Sequence, residues 1–486
     1  MGPGYGVGSE LDTRAQRLNR KVGRVATVSA QSAGDRPSTA LFTDQYELTM
    51  VEAALADGSA DRACSFEVFA RRLPDGRRYG VVGGMGRIPD ALARFRFGEP
   101  ELEIVSRFLD AKTVDWLRDF RFSGDIDGYR EGELYFPGSP ILSVRGTFAE
   151  CVLLETLTLS ILNHDSAIAS AAARMVSASD GRRMIEMGSR RAHEESAVAC
   201  ARAAYLAGFD ATSNLEAVRR HGIPGAGTSA HAFTLLHTTD GGANEEAAFR
   251  AQVAALGAGT TLLVDTYDIT QGVKNAVAAA GTGLGGVRID SGDLGVLARQ
   301  VRDQLDGLGA TGTKIVVSGD LDEYSIAALR AEPVDSYGVG TSLVTGSGAP
   351  TAGMVYKLVE VDGVPVEKRS AHKQSRGGTK RAVRLSRASG TAVEEVLYRA
   401  GAPAPDPGDF ESRELLIPLV RGGEIADDLP SLEDARALLA RNLVSLPWEG
   451  LKLSHGDPAV PTRFAATAEP TGETVVEPMI TGEGWR

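Results

Sequence analysis

The chain has 486 residues, of which 43% are apolar and 24% charged, and its formal net charge is −12. These values are typical of a globular protein and exclude wholesale disorder, and the acidic balance argues against a dedicated nucleic-acid partner. No window approaches the roughly 18 uncharged apolar residues of a membrane span, so we expect no membrane partner. The first residues lack the apolar stretch of a secretory signal, so we expect none.

The three cysteines, Cys64, Cys151 and Cys200, are scattered along the chain without any CxxC pair. This spacing predicts neither a disulfide framework nor a zinc site and is typical of a protein from the reducing cytoplasm. The length exceeds what one hydrophobic core usually holds, so roughly two or three domains are expected.

The first part of the chain mixes short strands with helices. Residues 1–38 are rich in Gly, Ser, Arg and Ala without a steady period, and we expect a mobile N-terminal arm. Residues 39–175 predict a domain of short strands and helices. Its predicted strands are 66–70, 125–136 and 141–148, and its predicted helices are 150–164 and 166–176, with Ser166 as the N-cap of the second helix.

Residues 176–350 alternate between short apolar runs and amphipathic helical patterns. Continuous apolar strands that alternate with helices predict parallel βαβ units. Seven such units favour an irregular TIM-like βα barrel, which would carry the active site, over an open sheet. The predicted strands are 184–188, 210–214, 226–230, 260–265, 286–290, 314–319 and 336–340.

After residue 350 the pattern changes. Residues 354–368 predict a hairpin around Asp362-Gly363. The segment 367–387 carries eight Lys or Arg and one acid; we favour a flap over a polyphosphate, and the alternative is a solvated hairpin. Residues 431–486 predict one helix, at 431–444, followed by a tail.

Polar and glycine residues follow nearly every predicted strand of the barrel, which is where such barrels carry their functional groups. Gly-rich turns that open helices present free N–H groups to phosphate, Arg binds phosphate or carboxylate in bidentate fashion, and Asp suits ribose hydroxyls or Mg²⁺. Any one of these Ser or Asp residues could equally be a helix N-cap, so the inference rests on their co-occurrence. They include Arg190, Arg191, Asp265, Arg288, Asp290, Ser318, Gly319, Asp320, Gly340 and Thr341.

His231 directly follows a Gly-rich turn on a predicted strand end. An imidazole there could act as a base or nucleophile oriented by a carboxylate such as Asp265, and the alternative is a structural histidine. We interpret His164, on an apolar helix, as structural.

Of three nucleotide-binding motifs, two match weakly and one is absent. The GxGxxG at 281–286 precedes a predicted strand instead of following one, so it does not indicate a dinucleotide site. No Walker loop occurs. Residues 262–272 come near the phosphoribosyl-pyrophosphate signature but have Thr266 in place of its second acid.

Eight motifs in order resemble nicotinate phosphoribosyltransferases. They are LFTDQYELTM (41–50), FEVFARRLP (66–74), LLETLTLSILN (153–163), GSRRAH (188–193), GIPGAGTSAHAF (222–233), VRIDSGDL (287–294), VVSGDLDE (316–323) and GVGTSLVT (338–345). The resemblance runs from about residue 39 to 385.

The resemblance implies an irregular barrel beside an α/β sandwich, which residues 39–175 would form and residues from about 351–430 would complete. It also implies a homodimer with its sites at the subunit interface. It implies transfer of phosphoribose from phosphoribosyl pyrophosphate to nicotinate, giving nicotinate mononucleotide and pyrophosphate on a salvage route to NAD. ATP hydrolysis would be coupled through phosphorylated His231, with Mg²⁺ as the accompanying ion and no metal ligand assigned.

The resemblance also implies residue roles. Asp265 would orient His231, Tyr46 would reach the partner's nicotinate ring, and Thr228 and Arg288 would hold the nicotinate carboxylate. The ribose and phosphates would be held by Arg190, Asp290, Ser318, Gly319, Asp320, Gly340 and Thr341.

One residue departs from the family pattern. Relatives often carry Phe before the glycine of the Gly-x-Arg motif, where it stacks on the pyridine ring, and here Met187 stands there. A thioether can also pack on an aromatic face.

The alternatives are nicotinamide phosphoribosyltransferase, quinolinate phosphoribosyltransferase, a metal-dependent barrel lyase that uses Asp265, Asp290 and Asp320, and an inactive nucleotide-binding relative. Tight Mg²⁺ dependence without phosphoribosyl pyrophosphate would indicate the lyase.

Overall fold

The structure is a computed structural model that describes residues 36–368 and 376–465. Most of the predicted N-terminal arm, the centre of the basic segment and the end of the tail lie outside the described residues. The strands are β1 (Ala63–Ala70), β2 (Gly80–Val81), β3 (Asp125–Tyr129), β4 (Leu134–Tyr135), β5 (Leu142–Thr147), β6 (Arg183–Glu186), β7 (Ala211–Thr212), β8 (Thr261–Leu263), β9 (Gly286–Ile289), β10 (Lys314–Ser318), β11 (Ser336–Val339), β12 (Met354–Val361), β13 (Val364–Pro365), β14 (Lys380–Ser386), β15 (Ala392–Arg399), β16 (Glu411–Glu414), β17 (Leu416–Arg421), β18 (Glu424–Ile425) and β19 (Thr462–Phe464).

Helices surround and separate these strands. They are α1 (Gln45–Asp57), α2 (Ile88–Ala93), α3 (Glu99–Val105), α4 (Ala111–Asp119), α5 (Phe148–Val152), α6 (Glu155–Ser179), α7 (Glu194–Ala207), α8 (Leu215–His221), α9 (His231–Leu236), α10 (Glu245–Leu256), α11 (Ile269–Ala280), α12 (Leu294–Gly307), α13 (Glu323–Ala328), α14 (Thr341–Val344) and α15 (Leu432–Ser445). Across the part of the chain that the structure describes, none of these helices combines the length and hydropathy of a membrane span.

The first sheet has seven strands in the order β13-β12-β1-β5-β3-β17-β18, and all neighbours are antiparallel. Four of its strands come from beyond residue 350, so segments distant in sequence complete it. Its core includes Phe66 on β1, whose ring stacks on Tyr356 of β12 with centroids 5.0 Å apart. The division into domains at the boundaries given above stays a prediction.

A single long helix, α6, replaces the two predicted helices, so the assignment of Ser166 as an N-cap is wrong. Ser166 is fully buried in the middle of α6, and its hydroxyl accepts a hydrogen bond of 3.0 Å from the backbone N–H of Gly83. Because that partner comes from a segment distant in sequence, the hydroxyl does not compete for the local backbone and the helix continues.

The second sheet is parallel, with six strands in the order β7-β6-β11-β10-β9-β8. It curls into a half-barrel whose edges are β7 and β8, which confirms the predicted α/β class with an irregular barrel. Its strands bury their apolar residues on both faces, as parallel strands between helices do.

Six of the seven predicted barrel strands are present, and the strand predicted at 226–230 is wrong. Among the described residues, this stretch contributes only one neighbouring bridge, between Thr212 and Gly225. Its residues are small or polar and have no apolar run to bury. The segment therefore loops along the open side of the half-barrel, between β7 and β8.

The third sheet, β16-β14-β15-β19, contains the described part of the basic segment. Lys380 Nζ lies 2.7 Å from Glu67, and Arg384 bridges Glu133 and Glu395 at 2.5 and 2.6 Å. All five groups are buried. The flap prediction is therefore wrong for β14, because these cations neutralise buried carboxylates.

Two C-terminal predictions are confirmed. β12 and β13 form the hairpin, and Asp362 and Gly363 take φ values of 49° and 76°, as its tight turn requires. α15 begins after Ser431, whose hydroxyl caps it by accepting from the Asp434 N–H.

His164 joins α6 to α7, which confirms its predicted structural role. Its Nδ1 lies 2.9 Å from Asp165 Oδ1, and its Nε2 lies 2.9 Å from Ser196 Oγ and 3.7 Å from Cys200 Sγ. Burial lowers the pKa of His164, but Asp165 and Cys200 outweigh burial and raise the pKa to about 9. The imidazolium is therefore the form that the fold stabilises.

Stability is expected to fall as the pH rises from 6.5 to 9. The folded-state pKa of His164 is above its unfolded value, so its contribution is complete below pH 6.5 and is lost as the pH passes about 9. We expect a loss on the order of 2 kcal/mol in the free energy of unfolding, measured by urea titration at both pH values. His164→Gln should flatten this dependence; an unchanged slope in that variant would refute the assignment.

Candidate active site

Asp265 ties together the ends of β8 and β9. Its side chain is 1% exposed. One oxygen, Oδ2, accepts hydrogen bonds from the Asp290 N–H at 2.8 Å and the Ser291 hydroxyl at 2.9 Å. The other oxygen, Oδ1, is buried without a hydrogen-bond partner among the described residues. A buried carboxylate oxygen without a donor is costly, and it marks a place where a donor is missing.

His231 stands beside that oxygen. It is the first residue of α9, on the segment that runs along the open side of the half-barrel. Its Nδ1 lies 3.1 Å from the Thr266 hydroxyl, and its Nε2 lies 3.9 Å from Asp265 Oδ1. The imidazole side chain is 41% exposed, so the ring is accessible from solvent while Thr266 and Asp265 lie on its protein side.

Arg288, Asp290 and Ser318 form a hydrogen-bonded group across the ends of β9 and β10. The Arg288 guanidinium donates from Nε to Ser318 Oγ at 2.8 Å and from Nη2 to Asp290 Oδ1 at 2.9 Å, and the Ser318 hydroxyl donates to the same Asp290 oxygen. Burial raises the pKa of Asp290, but Ser318 and Arg288 outweigh burial and hold the pKa below its usual value. The carboxylate is therefore ionised.

The ends of β6 and β11 approach each other closely. The Met187 N–H donates to Val339 O at 2.7 Å, and a Cβ on Gly338 would lie 2.7 Å from Met187 Sδ. The thioether thus covers bare backbone of β11. The same Cβ would lie 3.2 Å from Cβ of Ser318, which makes Met187 continuous with the Arg288 group.

Gly188 allows this approach, and Gly188→Ala is expected to disrupt it. An added Cβ would meet Val344 Cγ1 at 2.2 Å and Gly340 O at 3.1 Å, so the turns after β6 and β11 would have to separate. We expect a loss of stability of about 1–3 kcal/mol and a larger loss of activity, measured by thermal unfolding and by initial rates.

The matched control for this substitution is Gly283→Ala, because a Cβ there meets nothing within 4 Å. Equal activity of the two alanine variants would contradict the close approach as a requirement of the site.

The turn after β10 is held in an unusual conformation. Gly319 has a φ of 107°, and a Cβ there would lie 2.3 Å from the Asp290 carbonyl oxygen. Asp320 follows with a φ of 43° and is exposed. Gly340 and Thr341 occupy the corresponding place after β11, where Thr341 begins α14.

Three residues predicted for the site are not held within this group. Arg190 is exposed in the short turn Ser189–Arg191, and Thr228 is exposed on the loop before α9, with no hydrogen bond from its side chain to the other described residues. Tyr46 lies on α1, in the layer of the first sheet, and is 47% exposed. Burial, followed by Glu155, Glu47 and Asp44, raises the pKa of Tyr46 to about 12.

Glu186 is a residue of the site that sequence reasoning missed. It ends β6, is 1% exposed, and accepts hydrogen bonds from the Gly188 N–H and from the Thr212 hydroxyl. Burial raises the pKa of Glu186 despite these donors. A lone acid at the end of an apolar strand was the available signal.

The carboxylates described in this site do not form a complete metal-binding site by themselves. Within residues 36–368 and 376–465, no group of three or more His, Cys, Asp or Glu side chains is arranged to hold a metal ion. Mg²⁺ commonly takes only one or two carboxylates and completes its shell with substrate phosphates and water. The exposed Asp320 is compatible with that mode, and Asp290 is already paired with Arg288.

The chain matches two family models and several characterised relatives. The nicotinate phosphoribosyltransferase (NAPRTase) N-terminal domain matches residues 41–163, and the nicotinate phosphoribosyltransferase (NAPRTase) family matches residues 182–394. Nicotinate phosphoribosyltransferase pncB1 of Mycobacterium tuberculosis (strain ATCC 25618 / H37Rv) is 69% identical, over 87% of this chain and 94% of the relative.

More distant relatives agree. The nicotinate phosphoribosyltransferase of Homo sapiens is 32% identical, over 85% of this chain and 92% of the relative. The crystal structure of human nicotinic acid phosphoribosyltransferase superposes with a TM-score of 0.74 at 27% identity, covering 87% of this chain and 97% of that one. The chain belongs to the nicotinate phosphoribosyltransferase family.

Proposed function

We propose that this chain transfers the 5-phosphoribosyl group from phosphoribosyl pyrophosphate to nicotinate. The observation that carries the proposal is that the Arg288–Asp290–Ser318 group lies next to His231 and Asp265, at the C-terminal ends of the half-barrel strands. It combines a guanidinium for an anionic substrate with an ionised carboxylate for a ribose hydroxyl. Membership of the family supports the same reaction.

In the proposed reaction, a bond forms between the pyridine nitrogen and C1 of the ribose while the bond from C1 to the pyrophosphate oxygen breaks. Pyrophosphate leaves with the bonding electrons, and nicotinate mononucleotide remains. The site must therefore bind two anions and stabilise a leaving group that gains charge, which cations and backbone N–H groups do in a water-poor cleft.

The proposed residue roles are those that the family resemblance implies, and the positions of Arg288, Asp290 and Ser318 support them. Thr228 and Arg288 hold the nicotinate carboxylate, and the Met187 thioether packs on the pyridine ring in place of an aromatic side chain. The ribose and phosphates are held by Arg190, Asp290, Ser318, Gly319, Asp320, Gly340 and Thr341. Mg²⁺ accompanies the pyrophosphate, with Asp320 as the carboxylate available to it.

ATP is coupled to this reaction through His231. The imidazole takes the terminal phosphoryl group of ATP with release of ADP, and later loses it to water as inorganic phosphate. Asp265 orients the ring, because its unpaired Oδ1 lies 3.9 Å from Nε2. A phosphoryl group on His231 adds negative charge beside Asp290. This charge changes the affinity of the strand-end site for its substrates.

The active unit in this proposal is a homodimer located in the cytoplasm. Leu41 and Phe42 are 42% and 64% exposed and precede Tyr46 at the start of α1. Exposed apolar side chains grouped in this way are typical of a surface that a partner covers. Tyr46 would then reach the nicotinate site of the second subunit.

The test is a competition assay that contains phosphoribosyl pyrophosphate, Mg-ATP and equal amounts of nicotinate, nicotinamide and quinolinate. We expect nicotinate mononucleotide as the product, formed faster with ATP and at the expense of nicotinate. Consumption of quinolinate with release of CO2, which gives the same mononucleotide, would instead indicate the quinolinate enzyme. Nicotinamide mononucleotide would instead indicate the nicotinamide enzyme. If no mononucleotide forms, the transferase reaction is contradicted, and the metal-dependent lyase becomes the favoured alternative.

A further inference from the structure

A buried charged cluster lies behind the turns that follow β10 and β11. It consists of Arg77, Arg174, Glu323 and Ser347, which we call the Glu323 cluster. The side chains of Arg77 and Arg174 are each 5% exposed and that of Glu323 is 2% exposed. Groups of this charge are almost never so buried unless they are paired, and none of the four was assigned a role from the sequence.

Glu323 accepts hydrogen bonds from three directions. Its Oε1 accepts from Arg77 Nη1 and from Arg174 Nε, both at 2.9 Å. Its Oε2 accepts from the Ser347 hydroxyl. Burial raises the pKa of Glu323, but Ser347 and the two arginines outweigh burial and hold the pKa below its usual value. Glu323 is therefore an anion whose three side-chain donors come from three different segments.

The hydrogen bond between Ser347 and Glu323 joins the segments that follow the two proposed phosphate turns. Glu323 begins α13 and follows Asp320 by three residues. Ser347 lies six residues after Thr341, in a turn where Gly346, Ser347 and Gly348 all have positive φ, at 63°, 52° and 84°. Arg77 also donates from Nη2 to Gly346 O at 2.8 Å.

The cluster has more positive than negative charge, which makes the carboxylate indispensable. Two guanidinium groups share one carboxylate, and their remaining donors go to neutral acceptors, such as Gly76 O at 3.1 Å from Arg174 Nη1 and the Tyr324 hydroxyl at 3.3 Å from Arg174 Nη2. Without the charge of Glu323, two buried cations would face each other uncompensated. The turns on either side would then lose their common anchor.

We propose that Glu323 is a positioning residue that fixes the spacing between the Gly319-Asp320 turn and the Gly340-Thr341 turn, and so determines the affinity for phosphoribosyl pyrophosphate. The inference rests on the proposed function, because those turns are the proposed phosphate-binding groups. Two turns that must contact one rigid polyanion lose affinity when their separation varies. Among the described residues, Arg288 and Met187 of the nicotinate side make no hydrogen bond to the Glu323 cluster, so we expect the affinity for nicotinate to change less.

The test measures KM for each substrate and kcat in Glu323→Gln and Ser347→Ala. Glu323→Gln keeps the shape and removes the charge, and Ser347→Ala removes only the hydroxyl that holds the second turn. We expect KM for phosphoribosyl pyrophosphate to rise about tenfold in Glu323→Gln and about threefold in Ser347→Ala, with KM for nicotinate and kcat within about twofold.

The matched control is Glu133→Gln. Glu133 is also a buried carboxylate that pairs with two arginines, Arg384 and Arg413, but it lies away from the half-barrel turns. A purely structural role lowers the amount of folded enzyme, and hence the apparent kcat, without changing KM. Glu133→Gln is expected to show that pattern.

Asp320→Asn separates failure of this inference from failure of the proposed function. If Asp320→Asn raises KM for phosphoribosyl pyrophosphate and the two cluster variants leave it unchanged, the positioning role is refuted and the proposed function stands. If the unmodified enzyme makes no mononucleotide, the proposed function itself fails. Should Glu323→Gln not fold, Ser347→Ala alone decides, and an unchanged KM in it overturns the proposal.

Discussion

Replacing His231 with alanine is expected to abolish stimulation by ATP while a slower, ATP-independent transfer persists. The imidazole is the proposed nucleophile. It is 41% exposed and lies 3.1 Å from Thr266 and 3.9 Å from Asp265, whereas the groups proposed to bind nicotinate and ribose lie on other strand ends. Initial rates with and without ATP should differ several-fold in the unmodified enzyme and should coincide in the variant.

The control for this substitution is His455→Ala. The His455 side chain is 72% exposed and pairs with the exposed Asp75, so its loss should leave the response to ATP unchanged. Full ATP stimulation in His231→Ala would contradict the role of this histidine, whatever the absolute rate.

Replacing Arg288 is expected to have the largest effect on catalysis. Arg288→Ala removes the donors to Ser318 and Asp290 together with the proposed ligand of the nicotinate carboxylate. We expect kcat/KM for nicotinate to fall at least about a hundredfold, and Arg288→Lys to recover little, since an ammonium cannot donate along both directions of the guanidinium fork.

The same substitution should alter the pH profile. Arg288 is one of the groups that hold the pKa of Asp290 below its usual value, so the acidic limb of the rate profile should move to higher pH in Arg288→Ala. Arg299→Lys is the control, because Arg299 is largely exposed and contacts Glu332 outside the site. Recovery of full activity in Arg288→Lys would show that only a positive charge is needed.

The half-barrel could be predicted because its strands carry a local signal. Each apolar run, such as 260–265 or 314–319, is buried on both faces. Its sequence therefore predicts a strand even when the strands that pair with it are unknown. The same logic failed at 226–230, whose small and polar residues have nothing to bury. Polar residues at strand ends gave Asp265 and Asp290, because parallel strands bring those ends together whatever the details of packing.

The failures share a different cause, since each depends on a partner that is distant in sequence. Ser166 looked like a helix cap because the Gly83 N–H that occupies its hydroxyl belongs to another segment. The basic segment looked like a flap because Glu67, Glu133 and Glu395, which pair with Lys380 and Arg384, are spread over the chain.

Glu186 and Glu323 went unnoticed for the same reason. Each is a single acid in an ordinary setting until the fold supplies its donors: Gly188 and Thr212 for Glu186, and two arginines for Glu323. The one local signal for Glu186 was a lone acid at the end of an apolar strand, and the arginines that pair with Glu323 are distant in sequence.

The most direct test of the site is to map phosphate on the protein after incubation with Mg-ATP. The sample should be kept at alkaline pH, because phosphohistidine is labile in acid, and digested for mass spectrometry before and after addition of nicotinate and phosphoribosyl pyrophosphate. Phosphate on His231 that disappears when the substrates are added is the predicted result. A protein that turns over ATP and nicotinate together but carries phosphate on another residue, or on none, would contradict the account of His231, Thr266 and Asp265 given above.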